Sequence, residues 1–300
     1  MAYISKIKNI QVPSFQIDIP DFPYLLDHCF ENKPVLPAVE ICELLAFAVK
    51  DQMQKQKQNI DVLFITEAVF NKFLLLESAQ NNKIEIFCDF VLYENNDVKA
   101  SLKVKRKGSQ SSIVRTVEHA CMIFSQNKKL DTACHLEKIS GKISGKKDDR
   151  IEVLSKKIYN ELVPFGPAYR NIKELLIYKK GAVAKIKAPV QSECNNEIKN
   201  LGSPFVLDAA FHAACVYGQR FYFIVPFPVG FKERIIYKKT EQGFDYTATI
   251  IYGGKQKEEL FFDIIITDAK EDLCEFVKGV KMADVSRGRI KPPDWILDKK

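Results

Sequence analysis

The sequence lacks the signals that carry a chain into or across a membrane. Its first ten residues, MAYISKIKNI, contain no apolar core of the kind found in secretory signal peptides. No uncharged apolar run reaches the roughly 18 residues that a membrane-spanning helix requires. We therefore expect a cytoplasmic protein that makes no use of a membrane.

Clustered cysteines are missing as well. The eight cysteines are scattered, with no CxxC pair and no Cys/His grouping of the kind that a structural zinc site needs. Disulfides are rare in the cytosol, and free cysteines are usually buried. We expect reduced thiols that mostly fill the core, and no metal site.

Motifs of several common enzyme classes are also absent. The chain has no glycine-rich phosphate loop, no Rossmann glycine fingerprint and no serine nucleophile elbow. Its net charge of +7 is spread along the chain rather than focused in one basic stripe. The sequence therefore argues against nucleotide cofactors, serine hydrolysis and nucleic-acid binding, although diffuse positive charge favours encounter with an acidic partner.

What the chain does contain is typical of a globular protein in two halves. Hydrophobic residues make up 46% and charged residues 28% of the 300 residues. The polar stretch EKISGKISGKKDDR near the middle is typical of an exposed connector. We predict a first half over residues 1–138, a linker over 139–150, a second half over 151–290 and a tail over 291–300.

Each half combines one apolar helix with several strand-like runs. The apolar positions recur at helical spacing at Ile41, Leu44, Leu45 and Ala48 in the first half, and at Leu207, Ala210, Phe211 and Ala214 in the second. The second half also opens with a helical pattern over residues 151–162. Because an apolar helix and a one-faced sheet both need cover, we predict an α+β fold in which two antiparallel sheets each wrap around a central helix.

Four short motifs occur in a specific order. The segment HCFENKPVLP runs from His28 to Pro37 and fits the pattern HxxxGxxxxP, except that Asn32 takes the glycine position. Asn tolerates a left-handed backbone better than other non-glycine residues, so the turn is expected to survive. In LDAAFH, Asp208 is followed four residues later by His212, and GPAYRNI and VPF complete the set.

Together these motifs resemble those of the dehydratase domains of polyketide synthases, over about residues 20 to 285. The resemblance implies a tandem, double hot-dog fold. It also implies removal of water from 3-hydroxyacyl thioesters to give 2-enoyl thioesters in polyketide or fatty-acid-like biosynthesis. The substrate would arrive on the phosphopantetheine of an acyl carrier protein, with no bound cofactor. Other synthase subunits and a second copy of the chain are further partners that the resemblance suggests.

The chemistry requires a base at C2 and an acid at C3 of the substrate. The resemblance gives these roles to His28 and Asp208, and neutral imidazole suits the first because its ordinary pKa is near 6.5. A carboxyl group suits the second if burial keeps it protonated, so Asp208 should be protonated or well hydrogen-bonded. His212 lies one helical turn from Asp208 and is expected to be neutral.

A substrate-binding set is also implied, consisting of Pro37, Ala38, Phe165, Gly166, Pro167 and Tyr169. The free amides that follow Pro37 at the start of a helix are candidates to stabilise the thioester oxygen. The family usually has tyrosines at the positions of Val163 and Phe165, so both hydroxyl groups are missing here.

Three alternatives stay open. The chain is either a dehydratase, an enoyl isomerase on the same scaffold, or a noncatalytic dehydratase-like binding or scaffold subunit. His212 has the further alternative of a core histidine that merely orients Asp208. His119 and His135 are expected to be structural or solvated.

Overall fold

The computed structural model describes residues 10–19, 21–76, 85–107, 114–126, 150–191 and 199–298. Two long helices dominate, α1 over Ala38–Lys55 and α2 over Pro204–Tyr222. The first half contributes β1 Ile10–Ile17, β2 Cys29–Phe30, β3 Lys33–Pro34, β4 Phe64–Phe70, β5 Glu85–Leu92, β6 Val98–Lys107 and β7 Val114–Phe124. The second contributes β8 Ile151–Leu154, β9 Ile172–Tyr178, β10 Gly181–Lys187, β11 Phe227–Ile236, β12 Asp245–Gln256, β13 Glu259–Asp268 and β14 Leu273–Ala283.

Twelve of these strands form one antiparallel sheet in the order β1-β5-β6-β7-β4-β11-β14-β13-β12-β10-β9-β8. The strands of each half stay together, α1 packs on β5 and β6, and α2 packs on β9 to β13. The two predicted sheets are therefore half-sheets, joined edge to edge where β4 pairs with β11. The helices also contact each other across this junction.

A glycine makes the junction between the half-sheets possible. Gly230 of β11 pairs with Val69 of β4. A Cβ atom at this position would lie only 2.4 Å from the carbonyl oxygen of Ala68. No other residue type allows the two backbones to approach this closely without displacement.

Helix α2 is buried on nearly all of its faces, from Pro204 to Gln219. A helix that is apolar all round belongs in the interior of a protein, which explains its position between the half-sheet and α1. Any polar side chain on it is withdrawn from water. None of the described helices is long and apolar enough to cross a membrane.

One sequence prediction about the second half needs correction. The helix predicted over residues 151–162 is wrong in its first turn, because Ile151–Leu154 pairs with β9 as an edge strand and the helical turns cover only residues 155–162. The described part of the predicted tail packs against α2. Ile296 is buried, and its carbonyl accepts a hydrogen bond from Arg220 Nη1 at 3.0 Å.

The cysteines that the structure describes are free thiols, at Cys29, Cys42, Cys88, Cys121, Cys215 and Cys274. Cys134, Cys194 and His135 lie outside the described residues, as does nearly all of the predicted linker, so the domain boundaries stay predictions. His119 is buried in β7 with Nδ1 at 3.2 Å from the carbonyl oxygen of Lys72.

A buried ion pair ties β11 to β14 beside the junction. Arg234 Nε lies 2.8 Å from Glu275 Oε1, and Nη2 lies 3.1 Å from Oε2, with each residue 2% exposed. Arg234 also pairs through its backbone with Ile65 of β4. The pair therefore lies on the strand that holds the halves together.

We expect Glu275→Ala to lower the free energy of unfolding by about 3–5 kcal/mol, because it leaves the Arg234 guanidinium buried without the carboxylate that it contacts. Asp51→Ala is the control, since Asp51 pairs with Lys55 at the surface of α1 and its loss should cost less than about 1 kcal/mol. Urea unfolding of both variants measures the difference. Equal losses would show that the buried pair has no special importance.

Candidate active site

The backbone around His28 is fixed by a tight hairpin. His28 follows the short helical turn Pro23–Asp27, and β2 and β3 then pair around Glu31 and Asn32. These two residues have φ angles of 47° and 62°, so the predicted left-handed conformation of Asn32 is confirmed. The carbonyl of His28 accepts a hydrogen bond from Val35 N at 2.9 Å, and His28 Nδ1 lies 3.3 Å from the Val35 carbonyl oxygen.

Helix α2 supplies the other two polar groups. Asp208 and His212 are each only 4% exposed and lie one turn apart on the same face. His28 Nε2 lies 3.9 Å from Asp208 Oδ1, and His212 Nε2 lies 2.9 Å from Asp208 Oδ2. The fold thus brings a histidine of the first half against a carboxylate of the second.

Asp208 and His212 form a close, buried pair, and this contact lowers the pKa of Asp208. Asp208 Oδ2, His212 Nε2 and His212 Nδ1 are all buried, and apart from this contact they have no hydrogen-bond partner among the described residues. Both groups therefore keep hydrogen-bonding capacity for a ligand.

Aromatic rings hold the two imidazoles in place. The Phe165 ring stacks on His28 with centroids 4.2 Å apart, and it lies 4.9 Å from the His212 ring. Tyr169 meets His28 edge-on at 5.1 Å and also packs against Phe205. Such ring contacts restrict imidazole orientation, so both histidines are presented in a fixed direction.

The three polar side chains line one cavity of about 200 Å³ between the halves. Asn71 and Lys72 are exposed and lie at its solvent end. The remaining wall is mostly apolar, formed by Phe30, Leu36, Ala38, Ile41, Phe70, Phe73, Val163, Phe165, Phe211, Cys215, Pro226, Phe227, Pro228, Val229, Met282 and Val285. The predicted convergence of His28 and Asp208 on one mostly apolar channel is therefore present.

The residues predicted to bind substrate divide into two groups. Ala38 and Phe165 line the cavity. Pro37, Gly166, Pro167 and Tyr169 are not part of this wall, so substrate contact by these four residues stays a prediction. Pro37 caps α1, and the turn Pro167–Tyr169 carries the Tyr169 ring, which contacts the rings of Phe165 and His28. Sequence spacing could not separate wall residues from those that support the wall.

Burial and charge tune the two catalytic candidates in opposite ways. Burial lowers the pKa of His28 to about 4, although the nearby Asp208 carboxylate opposes this change. His28 is therefore a neutral imidazole at physiological pH. Burial raises the pKa of Asp208, but His212 and His28 outweigh burial and bring that pKa below its usual value. Of the two states expected for Asp208, protonated or well hydrogen-bonded, the lowered pKa favours the second.

Sequence reasoning missed Asp27, which precedes His28. Its backbone carbonyl accepts a hydrogen bond from Gly166 N at 2.7 Å, and its Oδ2 accepts one from Ala168 N at 2.8 Å. Asp27 thus fastens the Gly166 turn of the second half to the histidine segment of the first. An acidic residue directly before a candidate catalytic histidine was the available signal, but its partner is 141 positions away.

A second cavity of about 230 Å³ lies on the other side of Leu36, lined mainly by apolar residues together with the charged residues Asp18, Glu40, Glu43 and Lys199. Tyr24 Oη donates a hydrogen bond to Glu40 Oε1 at 3.1 Å. Burial raises the pKa of Glu40 from an ordinary 4.5 to about 7, although the Tyr24 bond acts in the opposite direction. A carboxyl group next to the candidate site is therefore largely protonated in mildly acidic solution.

No protein-family model and no curated protein sequence matches the chain. Solved structures do match it. The dehydratase domain of PpsC from Mycobacterium tuberculosis in complex with C12:1-CoA aligns with a TM-score of 0.64 and 17% identity, over 90% of this chain and 92% of that one. A trans-AT PKS dehydratase domain from Brevibacillus brevis gives 0.67 and 18%, over 94% and 96%. The dehydratase domain of RzxB from Pseudomonas fluorescens gives 0.64 and 14%, over 93% and 96%. The predicted double hot-dog fold is confirmed.

We expect Gly166→Ala to destabilise the protein by about 1–3 kcal/mol, because the added methyl group would lie 2.3 Å from Asp27 Oδ1 and displace the fastening carboxylate. Gly253→Ala is the matched control, since its Cβ would meet Phe261 O at an ordinary 3.4 Å. Thermal unfolding compares the two variants. If both lose the same stability, the contact between Asp27 and Gly166 is not tightly packed.

We expect Glu40→Gln to become more stable than the wild type as pH rises. Because the pKa of Glu40 is higher in the folded chain than in the unfolded chain, the wild type loses stability between about pH 4.5 and 7. The glutamine variant avoids this loss. Above pH 7 its free energy of unfolding should exceed that of the wild type by about 2–3 kcal/mol. Thermal unfolding at about pH 5 and about pH 8, near the two ends of this range, measures the difference in stability. Glu174→Gln, an exposed change on β9, should show no such pH-dependent gain.

Proposed function

We propose that the chain is a dehydratase that removes water from 3-hydroxyacyl thioesters carried on an acyl carrier protein and releases 2-enoyl thioesters. One observation carries the proposal. A neutral imidazole and a carboxylate, supplied by different halves of the fold, lie 3.9 Å apart on the wall of a single mostly apolar cavity. A base and an acid that face the same short segment of substrate are what the reaction requires.

His28 acts as the base. Its Nδ1 faces the Val35 carbonyl, and a proton on Nδ1 leaves the lone pair of Nε2 directed towards Asp208. A substrate with C2 at this position would lose a proton to Nε2, and the electron pair of the C2–H bond would become the C2–C3 double bond. The low pKa of His28 keeps this nitrogen unprotonated before the step.

The pair formed by Asp208 and His212 acts as the acid. The C3–O bond breaks as the hydroxyl oxygen takes a proton from this pair, so water leaves rather than hydroxide. The resting proton is held between the carboxylate and the imidazole, which are 2.9 Å apart. Asp208 Oδ2 has no other partner in the described part of the chain and is free to bond the leaving hydroxyl. The proton that His28 gains then returns to the pair in the next cycle.

The cavity suits an acyl chain delivered from outside. Its wall is apolar beyond the polar groups, and Lys72 at the solvent end is available to the phosphate of a phosphopantetheine arm. The first amides of α1 at Ala38 have no carbonyl partner within the helix and can stabilise negative charge on the thioester oxygen. The PpsC domain of similar fold was solved with C12:1-CoA, itself an acyl thioester. A cytoplasmic location, a carrier-protein partner, association with other synthase subunits and a homodimer belong to this proposal.

One observation favours an enoyl isomerase as the second candidate. Phe165, which stacks on His28, and Val163 beside it carry no hydroxyl groups, so fewer donors surround the leaving oxygen. An isomerase moves the double bond by proton transfer and loses no water. A noncatalytic scaffold subunit is the third candidate.

The protein should convert a 3-hydroxyacyl carrier-protein thioester into a product that is lighter by one water molecule. Intact mass spectrometry of the carrier protein measures this change, with an enoyl thioester as a parallel substrate. A double bond that moves without any loss or gain of water would instead support the isomerase. No change in either substrate would support the third candidate, a noncatalytic scaffold subunit.

In the same assay, His28→Ala and Asp208→Asn should each reduce turnover by about 100-fold or more, the usual scale for loss of an acid or base. His119→Gln is the control, because it removes a buried histidine that is not part of the cavity wall. Circular dichroism establishes that each variant is folded. Turnover that survives both site substitutions would contradict the proposed roles.

A further inference from the structure

The three polar groups of the cavity have the composition of a metal site. Two imidazoles and one carboxylate converge so that one ligand atom from each of His28, Asp208 and His212 lies within 4.8 Å of the others. Zinc and non-haem iron proteins use a donor set of two histidines and one carboxylate that leaves at least one coordination position open. The two separations given above, 3.9 and 2.9 Å, bracket the roughly 3.3 Å between ligands of a tetrahedral zinc ion.

The burial of the groups adds independent support. Asp208 Oδ2 and His212 Nε2 lie 2.9 Å apart, and both are buried without another partner in the described part of the chain. A metal ion that displaced the shared proton would bind both atoms without breaking any other hydrogen bond. On His28, Nδ1 faces the backbone carbonyl of Val35, as the outer nitrogen of a metal-bound histidine commonly does.

We propose that this site binds a zinc ion through His28 Nε2, a carboxylate oxygen of Asp208 and His212, and that the bound ion competes with substrate. The fourth position faces the cavity, which would leave it to water. The ion would occupy the lone pair of His28 and the carboxylate that the proposed dehydration uses. Zinc is therefore an inhibitor here, and only this consequence rests on the proposed function.

The donor set selects the class of ion. Imidazole nitrogen favours zinc and other late transition metals, whereas magnesium and calcium prefer sites made of oxygen. Cys215 also lines the cavity, but its thiol accepts a hydrogen bond from Gln219 Nε2 at 3.4 Å. Burial raises the pKa of this thiol to about 12, so it is not a ready thiolate ligand. The site is expected to be of mixed nitrogen and oxygen character.

Zinc binding is measured by titrating metal-free, reduced protein with Zn²⁺ in competition with a chromophoric chelator. We expect one site that weakens by about 100-fold or more in His28→Ala, Asp208→Ala and His212→Ala, the upper range for damage to a metal site. His119→Gln and Cys215→Ser should bind as the wild type does. Affinity that is unchanged in all three site variants, or no binding by the wild type, would overturn the proposal.

Cobalt provides a second measurement. Co²⁺ in this site should give visible d–d bands without the near-ultraviolet charge-transfer band of a thiolate ligand. These bands should disappear in His212→Ala even if that variant is less stable, because unfolded chains are removed before the measurement. A thiolate band in the wild-type spectrum would assign the metal to cysteine and contradict the inference.

The binding tests do not depend on turnover. Binding with no dehydratase activity would contradict the proposed function and leave the zinc site standing. If the enzyme is active, Zn²⁺ should raise the apparent KM for the thioester without changing kcat. Inhibition that excess substrate fails to relieve would contradict competition for the cavity.

Discussion

The pairing of β4 with β11 is the constraint on which the rest of the molecule depends. Neither half-sheet contains a complete site, because His28 belongs to the first half and Asp208 to the second. Pairing from Ile65 with Arg234 to Val69 with Gly230 makes the two half-sheets one surface and sets the two helices against each other. The separation of 3.9 Å between imidazole and carboxylate follows from that junction.

Burial of polar groups in an apolar interior shifts their pKa values, and these shifts suit the proposed chemistry. Burial disfavours the charged form of His28, so the imidazole stays available as a base. Burial acts on Asp208 as well, but its contacts with His212 and His28 lower the pKa of this carboxyl below its usual value. Phe165 lies against both imidazoles, and Asp27 accepts a hydrogen bond from the turn that follows Phe165. The contacts that support the site therefore come from both halves.

The proposed reaction and the proposed zinc site share one physical cause. Acid–base chemistry at C2 and C3 needs acceptor atoms that no protein donor has already satisfied. Apart from their contact with each other, Asp208 Oδ2 and His212 Nε2 have no hydrogen-bond partner among the described residues. The same atoms are good ligands for a transition metal, so a pocket prepared for a hydroxyl group is also exposed to metal binding.

The sequence by itself determined the local features. The spacing of apolar residues gave the two long helices, the segment from His28 to Pro37 gave the left-handed turn at Asn32, and the step from Asp208 to His212 gave their common helical face. These depend on neighbours in the chain, and local pattern is sufficient for them. The resemblance of the motifs supplied the tandem hot-dog fold.

Only the tertiary structure decided which side chains meet. It made residues 151–154 an edge strand and brought His28 of the first half to within 3.9 Å of Asp208 in the second. It also brought Asp27 to Ala168 across 141 positions. Contacts between distant segments depend on how whole layers pack. The pattern of a single sequence indicates which residues form each helix or strand, but not which residues of different elements come into contact.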